Sequence, residues 1–326
     1  EHQLPESHET GCRYGELKDK PMSRKAIIDI GSNSIKFFVG ELAADRTIKT
    51  VLDTNDIARL GEGLDSTGAI SPEAMERNVA SVAAFAKQAK ELGADRIVSV
   101  GTMALRKASN SAEFVEKVKK ACGVEVQIIP GEEEARLSYL AILSGLPLEK
   151  DADLVVFDTG GGSTEFIYGK GTQMVKRFSV NLGAVRITEN YLKADPVSPA
   201  DVQAAIAQID KEFKEAGVNG KPAQLVGMGG TVTSMGAVKH KMVKYDPSVI
   251  QGSRLTKKDI EEQIEEYSKR TVEQRKELPG LQPKRADVIL AGACILKVIT
   301  DRLGADGLTI SDRGLRHGLA FDLFRK

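Results

Sequence analysis

The chain has little of what marks several large classes of protein. Its 326 residues include only three cysteines, Cys12, Cys122 and Cys294, and no CxxC pair, which argues against a disulfide framework. The four histidines follow no zinc-motif spacing, so a zinc site is not expected. Basic and acidic residues both number 46, so no basic excess favours nucleic acid. No apolar run approaches the roughly 20 residues that cross a bilayer.

These absences together predict a cytoplasmic protein whose partners include neither nucleic acid nor a membrane. The first 21 residues are polar and mixed in charge, without the apolar region of a secretory signal. Met22 directly precedes a predicted strand. We therefore expect residues 1–21 to be a flexible tail outside the fold.

From Met22 onward the pattern predicts alternating strands and helices. Two apolar runs, "KAIIDIG" and "IKFFVGEL", are joined by the short turn "GSNS", which is typical of a strand–turn–strand unit. Ser71 and Pro72 begin a helix with an apolar stripe that Gly93 ends. Further helices are predicted at about 111–121, 198–216, 257–270 and 285–302, and a strand near "QMVKRFSV".

The strongest organisational signal is an internal resemblance. "AIIDIGSNSIKFFVGEL" and "LVVFDTGGGSTEFIYGKG" share one plan: an apolar strand, an aspartate, a glycine turn with a serine, and a second strand. Asp29 and Asp158 lie about one domain length apart. This predicts a duplicated α/β architecture with two domains around a cleft, at 22–145 and 146–311. A C-terminal helix at about 312–326 is assigned to the first domain.

The glycine turns are the first candidate site. Taken singly, "GGGST" is as well explained by a tight turn, because glycine tolerates positive φ and weakens a strand. Successive loop amides beside small hydroxyl side chains, however, form an anion-binding concavity. A third loop, Gly227 to Thr231, precedes a helix whose first amides favour phosphate. The chain has no GxxxxGK[ST], and a strand rather than a helix follows "GGGSTE", which excludes P-loop and dinucleotide motifs.

At these residues the sequence resembles the exopolyphosphatase/guanosine pentaphosphate phosphatase family, Ppx/GppA. The matching stretches are "IDIGSNSIK", "VGTMALRKASN", "IIPGEEEARL", "FDTGGGSTEF", "GMGGTVTS" and "ISDRGLRHGLAFDL", and they run from about residue 26 to 324. The resemblance implies a duplicated actin-like ATPase fold, which is ribonuclease H-like in each half. Longer family members continue with a helical region that helps hold long polymers, so this chain is expected to release long chains between cuts.

The resemblance also implies roles for particular residues. Glu134, directly before Ala-Arg, corresponds to the catalytic glutamate, and Arg106 to an arginine facing the phosphates. Asp158 and Glu165 correspond to carboxylates that hold Mg²⁺ or another divalent cation, with Asp29 sharing that task. The residues expected to bind phosphate are Gly31, Ser32, Asn33, Ser34, Gly160, Gly161, Gly162, Ser163, Thr164, Gly229, Gly230 and Thr231.

Simpler readings exist for three of these features. Acids such as Glu132, Glu133 and Glu134 are favoured at any helix N-terminus. Arg106 has the alternative of a solvated surface arginine. The basic run from Lys239 to Lys244 is either a solvated helix face or a track for distal phosphates.

The predicted function is that of an exopolyphosphatase, which releases terminal orthophosphate from inorganic polyphosphate by water that Glu134 activates. The same residues would serve hydrolysis of pppGpp, and the sequence does not separate the two substrates. An actin-fold phosphotransferase and a non-catalytic sensor of polyphosphate or nucleotide are alternatives of other classes. Apolar helix faces are compatible with a homodimer.

Overall fold

The computed structural model describes residues 23–44, 47–147, 149 and 151–325, and the expected tail at 1–21 lies outside them. The strands are β1 (Arg24–Ile30), β2 (Ile35–Leu42), β3 (Ile48–Asp56), β4 (Arg96–Gly101), β5 (Val126–Ile128), β6 (Asp153–Thr159), β7 (Thr164–Lys170), β8 (Gln173–Val180), β9 (Gln224–Met228), β10 (Arg254–Thr256) and β11 (Gly307–Ser311). The helices are α1 (Leu64–Thr67), α2 (Pro72–Glu91), α3 (Met103–Lys107), α4 (Ser111–Cys122), α5 (Gly131–Leu143), α6 (Ala184–Tyr191), α7 (Pro199–Glu215), α8 (Gly230–Lys239), α9 (Pro247–Ile250), α10 (Lys257–Ser268), α11 (Val272–Lys276), α12 (Ile289–Arg302) and α13 (Leu315–Arg325).

The two sheets share one strand order when they are read from opposite ends, with one additional strand in the second sheet, which confirms the duplicated α/β plan. The first sheet runs β3-β2-β1-β4-β5, and the second runs β10-β11-β9-β6-β7-β8. In each, an antiparallel three-strand meander is continued by a parallel strand, β4 beside β1 and β9 beside β6. The equivalent hairpins β1–β2 and β6–β7 therefore occupy the centre of their sheets, and their turns lie at the carboxyl ends of β1 and β6.

The helices form layers around and between the sheets. Helices α2 and α4 cover one face of the first sheet, while α6, α7, α8 and α12 cover one face of the second. The middle layer consists of α5 and α13. Leu137 of α5 packs with α13 and the first sheet, whereas Tyr139 and Ile142 of the same helix pack on the second sheet. Helix α5 therefore contacts both halves.

A close approach of α13 to α5 depends on one glycine. A Cβ on Gly318 would overlap the Leu137 carbonyl oxygen, so any larger residue would push the two helices apart. Helix α13 also contacts β1 and β2. The division of the chain at 145–146 into two domains stays a prediction.

The structure differs from the sequence-based expectations at one strand and at the start of one helix. Strand β3 was not predicted, because its exposed sequence IKTVLDTND shows no apolar alternation. The helix predicted at 285–302 begins at Ile289, since Pro283–Arg285 forms a separate 3₁₀ turn. Helix α12 is buried on nearly all sides and is the centre of the second half. Of the described helices, none combines the length and apolarity needed to span a bilayer.

Candidate active site

The two hairpin turns close in the same way. The Gly31 amide donates to the Ser34 carbonyl at 3.1 Å, and the Gly160 amide donates to the Ser163 carbonyl at 2.9 Å. We call residues 31–34 loop 1 and residues 160–163 loop 2. The strand register places Lys36 opposite Asp29 and Glu165 opposite Asp158. The repeated sequence plan is therefore also a repeated geometry, with a different partner for each aspartate.

Neighbouring segments hold both loops by their carbonyl oxygens. In loop 1, Ser32 accepts from the Gly61 amide at 2.8 Å and Asn33 from the Arg59 amide at 2.9 Å. In loop 2, Gly160 and Gly161 accept from the first amides of α6 at 3.0 and 2.9 Å. Within the described part of the chain, no backbone acceptor binds the amides of Gly161 and Gly162. These two amides therefore remain available to an anion.

The third loop, which we call loop 3 (residues 229–231), lies where β9 passes into the first turn of α8, and it contacts the end of β6 just before loop 2. Gly229 has φ 84°, and a Cβ there would overlap the carboxylate of Asp158. A Cβ on Gly230 would overlap the guanidinium of Arg285. Thr231 is buried, and its hydroxyl donates to the Thr159 carbonyl at 3.2 Å. The positive φ and the Asp158 carboxylate therefore favour glycine at 229, whereas at 230 the guanidinium of Arg285 occupies the space that a Cβ would take.

Four carboxylates share the region between the loops. Burial, together with the charges of Glu165 and Glu134, raises the pKa of Asp158 to about 7, and Lys36 and Arg285 oppose this shift. Burial likewise raises the pKa of Glu134, and the charges of Asp29 and Glu165 add to that effect. An excess of negative charge in a partly dehydrated cleft disfavours the ionised carboxylates.

The three glutamates that begin α5 have different environments. Glu132 has a side chain that is 83% exposed. Glu133 pairs with Arg136 at 2.7 Å. Only Glu134 points to the predicted site, where its Oε2 lies 2.8 Å from Nη1 of Arg106. Arg106 stands in the last turn of α3 and also donates to the Ile129 carbonyl at 2.9 Å, so the guanidinium is fixed between α3 and α5.

The hydroxyl groups in and next to loop 2 make different contacts. Ser163 donates to Oε1 of Glu165 at 2.6 Å, and Ser179 donates to the same oxygen at 2.9 Å. Thr164 is completely buried, and its hydroxyl lies 2.7 Å from the Leu182 carbonyl. Thr164 therefore anchors the loop, whereas the serines orient Glu165. In loop 1 Asn33 is exposed and Ser32 and Ser34 are half-buried.

Two basic residues at the site were not singled out from the sequence. Lys36 lies 3.8 Å from Asp29 and acts electrostatically on Asp158 across the cleft. The register of the duplicated hairpins could have found it, because Lys36 is the counterpart of Glu165. Arg285 reaches loop 3 from the 3₁₀ turn before α12, and no sequence motif indicates its role.

Lys239, from the basic run considered as a track for distal phosphates, is instead paired with Asp259 at 2.8 Å.

The acidic residues suit a divalent cation in part. No three acidic, histidine or cysteine side chains of the described residues converge into a complete metal cage. Mg²⁺, however, is usually bound by one or two carboxylates together with water and substrate phosphates. Asp158 and Glu165, paired across β6 and β7, supply such oxygens, and the burial and mutual repulsion that raise the pKa of Asp158 are both offset by a nearby cation.

Duplicated meander sheets, three glycine loops and a carboxylate cluster between them define an actin-like α/β protein built to handle phosphate. The chain belongs to the Ppx/GppA phosphatase family, whose model matches residues 39–326. The family resemblance and the fold class expected from the sequence are thereby confirmed.

Individual relatives show how far the similarity extends. The chain is 32% identical to exopolyphosphatase 2 of Mycobacterium tuberculosis over 93% of its own length and 99% of the relative's. It is similar to a crystal structure of the Aquifex aeolicus Ppx/GppA family member, with a TM-score of 0.85 and 32% identity over 93% of this chain and 98% of that one.

Other relatives are longer. The chain is 31% identical, over 92% of its length, to the guanosine-5'-triphosphate,3'-diphosphate pyrophosphatase of Photobacterium profundum, of which it spans 59%. It is also 31% identical, over 88% of its length, to a bifunctional 3-dehydroquinate synthase/phosphatase of Fusobacterium nucleatum, of which it spans 45%.

Proposed function

We propose that the protein is an exopolyphosphatase that removes the terminal phosphate of inorganic polyphosphate. The observation that carries this proposal is the Glu134–Arg106 pair at 2.8 Å, set beside the carboxylate cluster that faces loops 1, 2 and 3. A base and a fixed cation next to phosphate-binding loops are the parts that hydrolysis of a phosphoanhydride requires. The M. tuberculosis relative of nearly equal length is named an exopolyphosphatase.

Substrate binding falls to the loops and the cations around them. The amides of Gly161 and Gly162 and the N-terminus of α8 in loop 3 favour anionic oxygens. Ser32, Asn33 and Ser34 of loop 1 would add hydroxyl and amide groups from the other half, whose Asp29 and Lys36 act electrostatically on Glu134 and Asp158. Lys36, Arg106 and Arg285 supply the positive charge that a polyanion needs.

Glu134 is the general base. Its carboxylate accepts a proton from the water that attacks the terminal phosphorus, and the bond between that phosphorus and the bridging oxygen breaks in line. Orthophosphate leaves, and the shortened chain keeps the bridging oxygen. Burial and neighbouring acids raise the pKa of Glu134, which makes it a stronger base, while Arg106 keeps it ionised.

A divalent cation, Mg²⁺ in the simplest case, would be held by Asp158 and Glu165 with Asp29 nearby. When bound, such a cation neutralises phosphate oxygens as negative charge develops on the leaving group. Ser163 and Ser179 fix the orientation of Glu165 for this task.

The runner-up substrate is pppGpp, because the relative from P. profundum is named for that type of reaction. The test measures orthophosphate release from tripolyphosphate, long polyphosphate, pppGpp and ATP side by side, with and without Mg²⁺. We expect the highest kcat/KM on polyphosphate. A clear preference for pppGpp would replace the proposed substrate, and release from none of the four would overturn the proposed function.

A further inference from the structure

A groove of about 480 Å³ lies beside the candidate active site and is not used by the mechanism above. It runs between the first turn of α5 and the edge strand β8. Both halves of the molecule line it, with Pro130 and Arg136 on one side and Val175 and Arg177 on the other. The groove therefore extends the cleft away from Glu134.

The strand register connects Arg177 to the acidic residues. Asp158, Glu165 and Ser179 are paired across β6, β7 and β8 and so share one face of the sheet. Val156, Ile167 and Arg177 form the next row on the same face. Two residues along a strand cover about 6.6 Å. Arg177 is thus one step from the row that holds Asp158 and Glu165.

Arg177 and Arg106 converge on one point at the N-terminus of α5. The position of a Cβ on Gly131 would lie 3.4 and 3.6 Å from the two terminal nitrogens of Arg177, and 3.7 Å from Nη2 of Arg106. Two guanidiniums from different halves approach each other here, at the positive end of a helix. Such an arrangement of like charges favours an anion that spans both.

The other cations of the groove are bound more firmly. Arg136 pairs with Glu133 at 2.7 Å and also contacts Asp322. Lys176 points to the opposite face of β8, where its Nζ lies 4.6 Å from the centre of the Phe178 ring. Arg177, by contrast, has a contact of 3.8 Å with Glu132, whose side chain is 83% exposed. Such an exposed pair contributes little and is easily exchanged for a phosphate.

We infer that Arg177 binds the phosphates that follow the scissile bond, and that it sets the preference for longer inorganic polyphosphate. This inference rests on the proposed function. It assigns the groove as the path by which the chain leaves the active site, whereas the basic run at Lys239 to Lys244 had been the candidate from the sequence.

The test compares Arg177→Gln with the wild type on tripolyphosphate and on a polyphosphate tens of phosphates long. We expect KM for the long substrate to rise about 3–10-fold, the value of one hydrogen bond at an exposed site, with kcat nearly unchanged. KM for tripolyphosphate should rise less than KM for the long substrate. The slope of log affinity against log salt concentration for the long chain should decrease by about the amount that corresponds to one phosphate contact. Lys176→Gln removes the same charge from the adjacent residue and is the matched control.

A binding measurement separates this inference from the proposed function. Affinity for the long polyphosphate is measured in Glu134→Gln, with and without Arg177→Gln. Weaker binding only when Arg177 is replaced, with partial recovery in Arg177→Lys, supports the groove even if the wild type releases no phosphate. Equal affinity and salt dependence in both proteins, or an equal loss in Lys176→Gln, overturns the inference even if the protein is an active exopolyphosphatase.

Discussion

Three adjacent glutamates begin α5, and the environment of each side chain decides what it can do. Glu132 projects into solvent and Glu133 pairs with Arg136, whereas Glu134 is held against Arg106 next to the carboxylate cluster. The preference of acids for a helix N-terminus explains the presence of all three. It does not explain why only the third lies at the site.

We expect Glu134→Gln to fold normally and to lose turnover by about 10²–10⁴-fold, which is the usual contribution of a positioned general base. Phosphate release by the purified variant measures this. Glu132→Gln is the matched control, because it removes the same charge from the same turn, and it should change turnover less than about twofold. Wild-type turnover in Glu134→Gln would remove this residue from the mechanism.

Asp158 is expected to matter through metal binding. Asp158→Asn removes one of the two paired carboxylates beside loop 2, so activity should either disappear or require more divalent cation. The measurement is the titration of activity with Mg²⁺ after chelation. Asp153→Asn, at the exposed start of the same strand, is the control. An unchanged titration curve in Asp158→Asn would exclude it as a ligand.

At the scale of elements, α13 is fastened to β3 by a charged cluster. Arg316 donates two hydrogen bonds to Asp53, at 2.7 and 2.9 Å, and His317 Nε2 lies 2.9 Å from the same carboxylate. The Gly314 amide donates to Nδ1 of His317 at 3.1 Å. The neutral ring therefore carries its proton on Nε2 and satisfies both nitrogens. Strand β3, which the sequence pattern did not reveal, holds the helix through this contact.

This cluster predicts a loss of stability in mild acid. Burial, together with the charges of Arg316 and Arg313, lowers the pKa of His317 from its ordinary value of 6.5 to about 4, and Asp53 opposes this shift. Below pH 6.5 the unfolded chain binds a proton that the folded chain does not. The free energy of unfolding should thus fall by about 2 kcal/mol between pH 7 and pH 5.

The measurement is urea unfolding across that range, for the wild type and His317→Gln. The variant should show a smaller decline, because Gln does not titrate. Burial alone would raise the pKa of Asp53, but its hydrogen bonds from His317 and Arg316 lower it, so Asp53 loses its contribution only at lower pH. An identical pH dependence in wild type and variant would contradict the assignment to His317.

At the scale of the whole molecule, the two connections between the sheets run side by side. One follows α5 and the other follows β11. The Gln251 side chain donates to the Gly145 carbonyl at 3.0 Å and accepts from the Asp312 amide at 2.8 Å. Arg313 donates to the Ser144 carbonyl and lies 3.0 Å from its hydroxyl. These contacts tie both connections to each other.

Gln251→Ala leaves two half-buried backbone groups without this partner. We expect it to lower the free energy of unfolding by about 1–2 kcal/mol. It should also reduce kcat, since the position of α5 relative to loops 2 and 3 depends on this junction. Chemical unfolding and steady-state kinetics check both effects. Gln208→Ala, which removes a hydrogen bond within α7, should leave kcat unchanged. A stable variant with full activity would show that the junction does not depend on Gln251.

Local pattern was sufficient for much of the fold. The strand–turn–strand plan at Asp29 and Asp158, the helix that begins at Ser71 and Pro72, and the third meander strand of the second half all depend on residues close in sequence. Hydrophobic periodicity, capping residues and glycine turns report such short-range structure. Strand β3 could not be predicted from the pattern because its side chains are mostly exposed. Its pairing with β2 is what orders it.

The residues of the candidate site also fall into those that the sequence indicates and those that only the packing brings to the site. Glycine loops and acidic residues stand in recognisable stretches, so the sequence alone pointed to Asp158, Glu165 and Glu134. Long-range packing decided the rest: which glutamate of α5 meets Arg106, that Thr164 turns into the core, and that Arg285 and Arg177 reach the cleft. The sequence determines which side chains are charged. Which of them become neighbours is determined only when the two sheets and the helices between them pack together.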